Sequence, residues 1–306
     1  MVSSWNDILS ECSRESSFDI VRRKYLKALH KKTGRNIIIY YSCWLQKPHF
    51  ANQAGVELTI SDSDKNGFMA TIHQLKREDG LDLLLHTPGG SMAATESLVA
   101  YLRSMFQGNI RAFVPQIAMS AGTMIACSCS EIIMGAQSSI GPIDPQYRNL
   151  PAHGLVEEFE KAAKEVKSDK SRILVWAPIL QKIDPTTLSE CIKATAWAKE
   201  MVQEWLETGM LKDDPKRESK AQQIVEALTD SAETKSHSRH IGYDRARQIG
   251  LNVKQLEADQ ELQDAVLGVH HSCIATLQGT AAIKITENHL GIAFIQQAQQ
   301  QVAVRI

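Results

Sequence analysis

The chain has 306 residues, 43% of them hydrophobic, and its 34 basic and 35 acidic side chains leave a net charge of −1. A core of useful size can form, and the even charge balance gives no electrostatic basis for a nucleic acid partner. No apolar run approaches the ~20 residues that span a bilayer, and the polar start at 1–14 has no signal-like apolar stretch, so the expectation is a cytoplasmic protein without a membrane span.

The six cysteines have neither metal-ligand spacing nor the framework of a small disulfide-bonded domain, and they read as reduced thiols. Residues 15–32 pattern as a basic amphipathic helix. A β-rich run follows, Asn36-Ile37-Ile38-Ile39-Tyr40-Tyr41. Asp62 or Ser63 can cap a helix running to about Lys76. Leu81-Asp82-Leu83-Leu84-Leu85 reads as a buried strand, followed by a turn at Thr87-Pro88-Gly89-Gly90-Ser91 and a helix to about Phe106. Ile110 to Val114 is a second strand of this series, Thr123 to Cys129 a short helix and Glu131 to Met134 a third strand. From Leu155 onward long helical patterns dominate: 155–166, 185–210, 220–228, a short helix closed at Gly250, and a last one from Leu262 to about Leu277. Strand, turn and helix alternating with buried strands predict an α/β fold.

Chemistry concentrates in two turns, each following a strand and opening a helix. In the first, the adjacent Gly89 and Gly90 permit positive φ and close approach of a ligand to the backbone. Amides at a helix start have no intrahelical acceptor and can hold negative charge. In the second, Ala118-Met119-Ser120-Ala121-Gly122-Thr123, a serine stands between small residues that leave room for a substrate carbonyl. Taken singly, the first is an ordinary turn and the second an ordinary helix cap. Together on successive strand–turn–helix units, they pair a hydroxyl nucleophile with amides able to stabilise an oxyanion.

The stretch from about Asp82 to Gln146 resembles the Clp protease and signal peptide peptidase A families, and most of all the serine dehydrogenase proteinase family. The two turns look like their oxyanion and nucleophile turns. Ser139-Ile140-Gly141-Pro142-Ile143-Asp144-Pro145-Gln146 looks like the peptide-binding region that follows them, and Tyr243 to Leu251 like the helix ending in Gly-Leu that closes these cores. The resemblance implies a single Clp protease/crotonase-like domain over 1–306, a spiral of β-β-α units. Its core would lie at about 36–150 and 236–254, with helical additions at about 1–35, 155–230 and 255–306. It also implies Ser120 as nucleophile, Gly89, Gly90 and Ala121 at the oxyanion hole, and Ser91, Ile140 and Gly141 against substrate. No dehydrogenase cofactor motif is visible, and neither cofactor nor metal is expected.

The general base is the open point. The segment 138–147 lacks the histidine that Clp proteases carry there. Signal peptide peptidase relatives use a downstream lysine instead, which points to Lys170, 50 residues after Ser120, ahead of Lys161, Lys164 and Lys167. These last three recur beside Glu157, Glu158, Glu160 and Glu165, as on a solvated helix face. His237, in the polar stretch Ser236-His237-Ser238-Arg239-His240, is the rival base. His86 is expected as a core residue at a strand end, Asp144 as a turn residue able to orient a partner, and the adjacent His270 and His271 as structural. Three functions compete: a serine peptidase or amidase acting on a peptide or protein; a crotonase-type acyl-CoA enzyme; and a non-enzymatic peptide-binding or assembly module. Homo-oligomers are expected in each case.

Overall fold

The computed structural model describes residues 5–15, 17–51, 53–147, 150–184, 186–229 and 239–298. Two helices lead in, α1 (Trp5–Glu15) and α2 (Phe18–Thr33), the second stopped by Gly34 at φ 67. Then come β1 (Asn36–Ser42), α3 (Asp64–Ile72), β2 (Leu81–His86), α4 (Met92–Phe106) and β3 (Ile110–Val114). The short β4 (Ile117–Ala118), α5 (Ala121–Cys127), β5 (Glu131–Met134) and the short β6 (Ser139–Ile140) follow. A small hairpin, β7 (Gln146–Tyr147) and β8 (Leu150–Pro151), leads to the helices α6 (Ala152–Ser168), α7 (Ile173–Leu180), α8 (Thr187–Thr208) and α9 (Arg217–Thr229). The chain closes through α10 (Tyr243–Gln248), β9 (Val253–Gln255), α11 (Gln260–Gly279), β10 (Ala282–Asn288) and β11 (Ala293–Gln297).

Seven strands make one sheet in the order β11-β10-β1-β2-β3-β5-β9. From β1 to β9 neighbouring strands are parallel, with Ile38 opposite Leu83, Leu83 opposite Ala112, Ala112 opposite Ile132 and Ile132 opposite Val253. The alternation of side chains gives the sheet two cores. Ile38, Leu83, Ala112 and Ile132 pack toward α4, α5, α8 and α9, whereas Ile37, Leu84, Phe113 and Ile133 pack toward α2 and α11. Coverage of both faces is why β1 and β2 read as unbroken apolar runs. The charge within β2 is compensated: Arg111 donates to both oxygens of buried Asp82 at 2.7 Å, and Arg35 donates to one of them at 2.7 Å.

One expectation needs correction. Residues 255–306 were read as a helical addition, but after α11 the chain returns as β10, antiparallel to β1, with β11 beside it. β10 escaped notice because Lys284, Glu287 and Asn288 interrupt its apolar pattern, yet all three are buried. Glu287 accepts from Arg22 and Arg23, Lys284 pairs with Asp64, and Asn288 donates to the Thr71 carbonyl. Helix α3 also ends at Ile72, short of Lys76.

Candidate functional site

The two turns meet at the carboxyl end of the parallel strands, stitched together by their backbones. Thr87 donates its amide to the Ile117 carbonyl at 3.2 Å and accepts the Met119 amide at 3.0 Å. Ser120 then turns the chain into α5 at φ 51 and ψ −117; among the described residues, only Gln107 shares a positive φ without being glycine. A non-glycine residue held there costs about 1–3 kcal/mol, a strain that lifts the side chain out of the turn in the manner of a nucleophile elbow. The Ser120 hydroxyl makes no hydrogen bond to a described residue, and its side chain faces a cleft of about 350 Å3.

Gly89 and Gly90 line the same cleft, and their lack of a side chain is a geometric requirement. Gly89 has φ 100, and a Cβ there would stand 2.7 Å from Ser120 Cβ, 2.8 Å from the Met119 carbonyl oxygen and 3.0 Å from the Ala121 nitrogen. At Gly90 a Cβ would sit 2.2 Å from the Ile60 nitrogen. Ile60 donates to the Gly89 carbonyl at 2.7 Å and accepts the Ser91 amide at 2.9 Å, a parallel bridge between Ile60 and Gly90. In a parallel bridge the middle residue directs its own N–H and C=O to the opposite side. The Gly90 amide therefore points away from Ile60, and neither it nor the Ala121 amide bonds a described backbone group. The Gly89 amide is spoken for, donating to Thr87 Oγ1 at 3.2 Å.

The other expected residues divide. Ser91 lines the cleft, and its hydroxyl caps α4 by accepting the Ala94 amide at 3.3 Å. Ile140 and Gly141 do not line it. Ile140 is buried and bonded on both sides, to Ala118 through β4 and to Ile241 at 3.0 and 2.8 Å. The Gly141 amide donates at 2.9 Å to Thr123 Oγ1, whose hydroxyl in turn donates to the Ala118 carbonyl. This part of the segment ties the nucleophile turn in place, and the cleft wall passes to Ile143, Asp144, Pro145 and Gln146. Met92 and Met124 add apolar surface.

The lysines of the expectation lie away from the cleft. Lys170 lies exposed in a single turn after α6, and Lys161, Lys164 and Lys167 are exposed along α6 itself. Lys161 pairs with Glu158 at 3.5 Å, so this is a solvated face, and among the described residues no lysine lines the cleft. His237 lies outside the described residues. His86 is fully buried on the other side of the sheet, its ring 4.4 Å from that of Trp44 and tilted against it by 39°. Burial and the neighbouring His270 hold its imidazole well below the usual pKa, hence neutral.

Asp144 is the one ionisable side chain among the described residues of the cleft wall, and it is 2% exposed. His153, on the first turn of α6, places Nδ1 3.7 Å from Asp144 Oδ2. The pairing escaped the sequence reading because the histidine lies beyond the β7–β8 hairpin, which folds it back. Ala152 donates to the Pro145 carbonyl at 2.8 Å, closing that hairpin next to Asp144.

Among the described residues, no helix is long and apolar enough to cross a membrane. Two uncharacterized proteins of Methanocaldococcus jannaschii are similar. One is 29% identical over 234 residues, covering 76% of this chain and 73% of its own length. The other is 29% identical over 196 residues, covering 64% of this chain and 59% of its own. No solved structure matches. The family model of the ClpP-like SDH-type serine proteinases matches residues 8–266, which take in both turns, the cleft wall and α6 to α10, and the chain belongs to that family.

Proposed function

We propose that the protein is a serine peptidase or amidase that uses Ser120 as nucleophile. The observation that carries this reading is the packing of the Gly89–Gly90 turn onto the Ser120 elbow, with the Gly90 and Ala121 amides left without partners among the described backbone groups. Two amides beside a nucleophile suit the negative oxygen of a tetrahedral intermediate, and each such donor is worth about 2.7–4 kcal/mol of barrier. A peptide lies along the outward side of Gly90 as an added strand, bonding its outward C=O, while Met92, Met124 and Ile143 take an apolar side chain.

Ser120 Oγ attacks the scissile carbonyl and its proton passes to the Asp144–His153 pair. Asp144, which faces the cleft, takes the proton, with His153 behind it against its carboxylate; the proton then leaves on the departing amine, and water releases the acyl group from Ser120. Within the family fold, the order β3-β4-α5 is one β-β-α unit of the expected spiral, with β5 and β6 beginning the next. A reducing cytoplasmic setting fits six free, buried cysteines. Self-association fits α7, where Leu174 is 79% exposed beside exposed Ile173, Val175 and Ile179.

The test is hydrolysis of a panel of peptide and ester substrates, with fluorophosphonate labelling traced by mass spectrometry. Wild type is expected to turn over and label at Ser120, and Ser120→Ala to do neither. Turnover that survives Ser120→Ala overturns the reading. Variants His153→Ala, His237→Ala and Lys170→Ala assign the base. Asp144→Asn joins this set: loss in Asp144→Asn and His153→Ala alone supports the assignment above, and full activity in Asp144→Asn refutes it.

A further inference from the structure

A buried ion pair grips the glycine turn from behind. We propose that Lys284 and Asp64 are positioning residues for the Gly90 amide, acting through the two peptide units on either side of Ile60; this deepens the hydrolase reading and rests on it.

The connecting segment 58–61 belongs to no helix or regular strand, yet it holds Gly89 and Ser91 by the two hydrogen bonds of Ile60. Its own position is fixed from the far side. Lys284 Nζ donates to the Thr59 carbonyl at 2.6 Å. Asp64 Oδ2 accepts the Ser61 amide at 2.9 Å. Ser42 Oγ adds a bond to the Leu58 carbonyl at 2.6 Å.

A trans peptide is planar, so its C=O and N–H point in opposite directions. The Thr59 carbonyl and the Ile60 amide belong to one such plane. Lys284 holds its oxygen, and its N–H holds the Gly89 carbonyl. The Ile60 carbonyl and the Ser61 amide belong to the next plane. Asp64 holds its N–H, and its oxygen holds the Ser91 amide. Each plane is thus a rigid bridge between the ion pair and the glycine turn. A rotation of either plane displaces Gly89 or Ser91, and with them the Gly90 N–H between them.

The pair is built for geometry more than for stability. Lys284 and Asp64 are each 1% exposed, with Nζ 2.9 and 3.0 Å from the two carboxylate oxygens. All three ammonium donors are used, and Tyr40 Oη and Gln296 Nε2 complete the carboxylate at 3.0 and 3.2 Å. Replacing such a buried pair by apolar side chains is often neutral or favourable for folding. What apolar side chains cannot do is hold a carbonyl and an amide in fixed directions.

The test is the double substitution Asp64→Asn with Lys284→Met, which removes both charges and leaves neither unpaired. Amide exchange of the full chain is followed by mass spectrometry, alongside kcat and KM. Residues 86–92 are expected to exchange at least about tenfold faster while β1 to β3 keep wild-type protection. For a donor used in the transition state, kcat falls at least about tenfold with KM within about twofold. Wild-type exchange at 86–92 in the folded double variant overturns the proposal. Should that variant not fold, Tyr40→Phe removes one support of the carboxylate while keeping both charges. Faster exchange at 86–92 in Tyr40→Phe then supports the proposal, and unchanged exchange overturns it. The exchange measurement decides the clamp even if wild type hydrolyses nothing, a result that sinks the hydrolase reading by itself.

Discussion

Substituting Gly89→Ala places a methyl group at the junction of the two turns. Its Cβ would meet Ser120 Cβ at 2.7 Å, the Met119 oxygen at 2.8 Å and the Ala121 nitrogen at 3.0 Å. None of these is the tip of a flexible side chain, so none can move aside alone. Carbon atoms pack at about 3.5–4.0 Å, so the turns must part by roughly 1 Å. The φ of 100 adds strain for any side chain, about 1–3 kcal/mol. A misplacement of about 1 Å at a catalytic geometry costs on the order of a hundredfold in rate, and complete loss of one donor about 10²–10³-fold. The expected outcome is kcat lower by about 10²–10³ with KM little changed, measured with an ester substrate whose active sites are counted by fluorophosphonate titration. Thermal unfolding should show a folded protein destabilised by about 1–3 kcal/mol. Full activity in a stable Gly89→Ala protein would refute the convergence of the turns.

Further outcomes follow from other parts of the molecule. Ser120→Gly relieves the elbow strain that Ser120→Ala retains, so the glycine variant should be more stable by about 1 kcal/mol in denaturant titration; equal stabilities would argue against a strained elbow. Burial holds the His86 and His270 pKa values down, His270 to about 3, with neighbouring histidines lowering both further. The unfolded chain takes up protons at about 6.5 where the folded one does not, so stability is intact above that pH and falls below it. Each histidine contributes a slope of about 1.4 kcal/mol per pH unit; urea midpoints that do not fall between pH 7 and pH 5 would contradict this, and His86→Phe should flatten the slope. Asp82→Asn leaves Arg35 and Arg111 facing a neutral buried group and should cost about 3–5 kcal/mol in denaturant titration, with kcat unchanged at temperatures where the protein stays folded. Leu174→Glu should dissociate an assembly formed through α7, read by sedimentation velocity; an unchanged sedimentation coefficient would place self-association elsewhere.

The strands β1, β2, β3 and β5 and both turns were legible in the sequence because their causes are local: apolar runs buried on two faces, and glycines where a Cβ has no room. Ser120, Gly89 and Gly90 line one cleft. Ile140 and Gly141 do not line the cleft: Ile140 bonds to Ile241, about 100 residues on, and Gly141 to Thr123, in the helix after the nucleophile turn. β10 was hidden because the partners that make Lys284 and Glu287 tolerable in a core, Asp64 and Arg22, are more than 200 residues away. The lysine expectation came from resemblance alone, and the surroundings of α6 gave it no burial. His153 had no local signature at all, since its closeness to Asp144 depends on the intervening hairpin.

The most direct measurement is a crystal structure of the fluorophosphonate adduct. A phosphorus bonded to Ser120 Oγ, with its phosphoryl oxygen about 2.7–3.1 Å from both the Gly90 and Ala121 nitrogens, is the expected result. An adduct on another residue, or a phosphoryl oxygen turned away from those two amides, would contradict it.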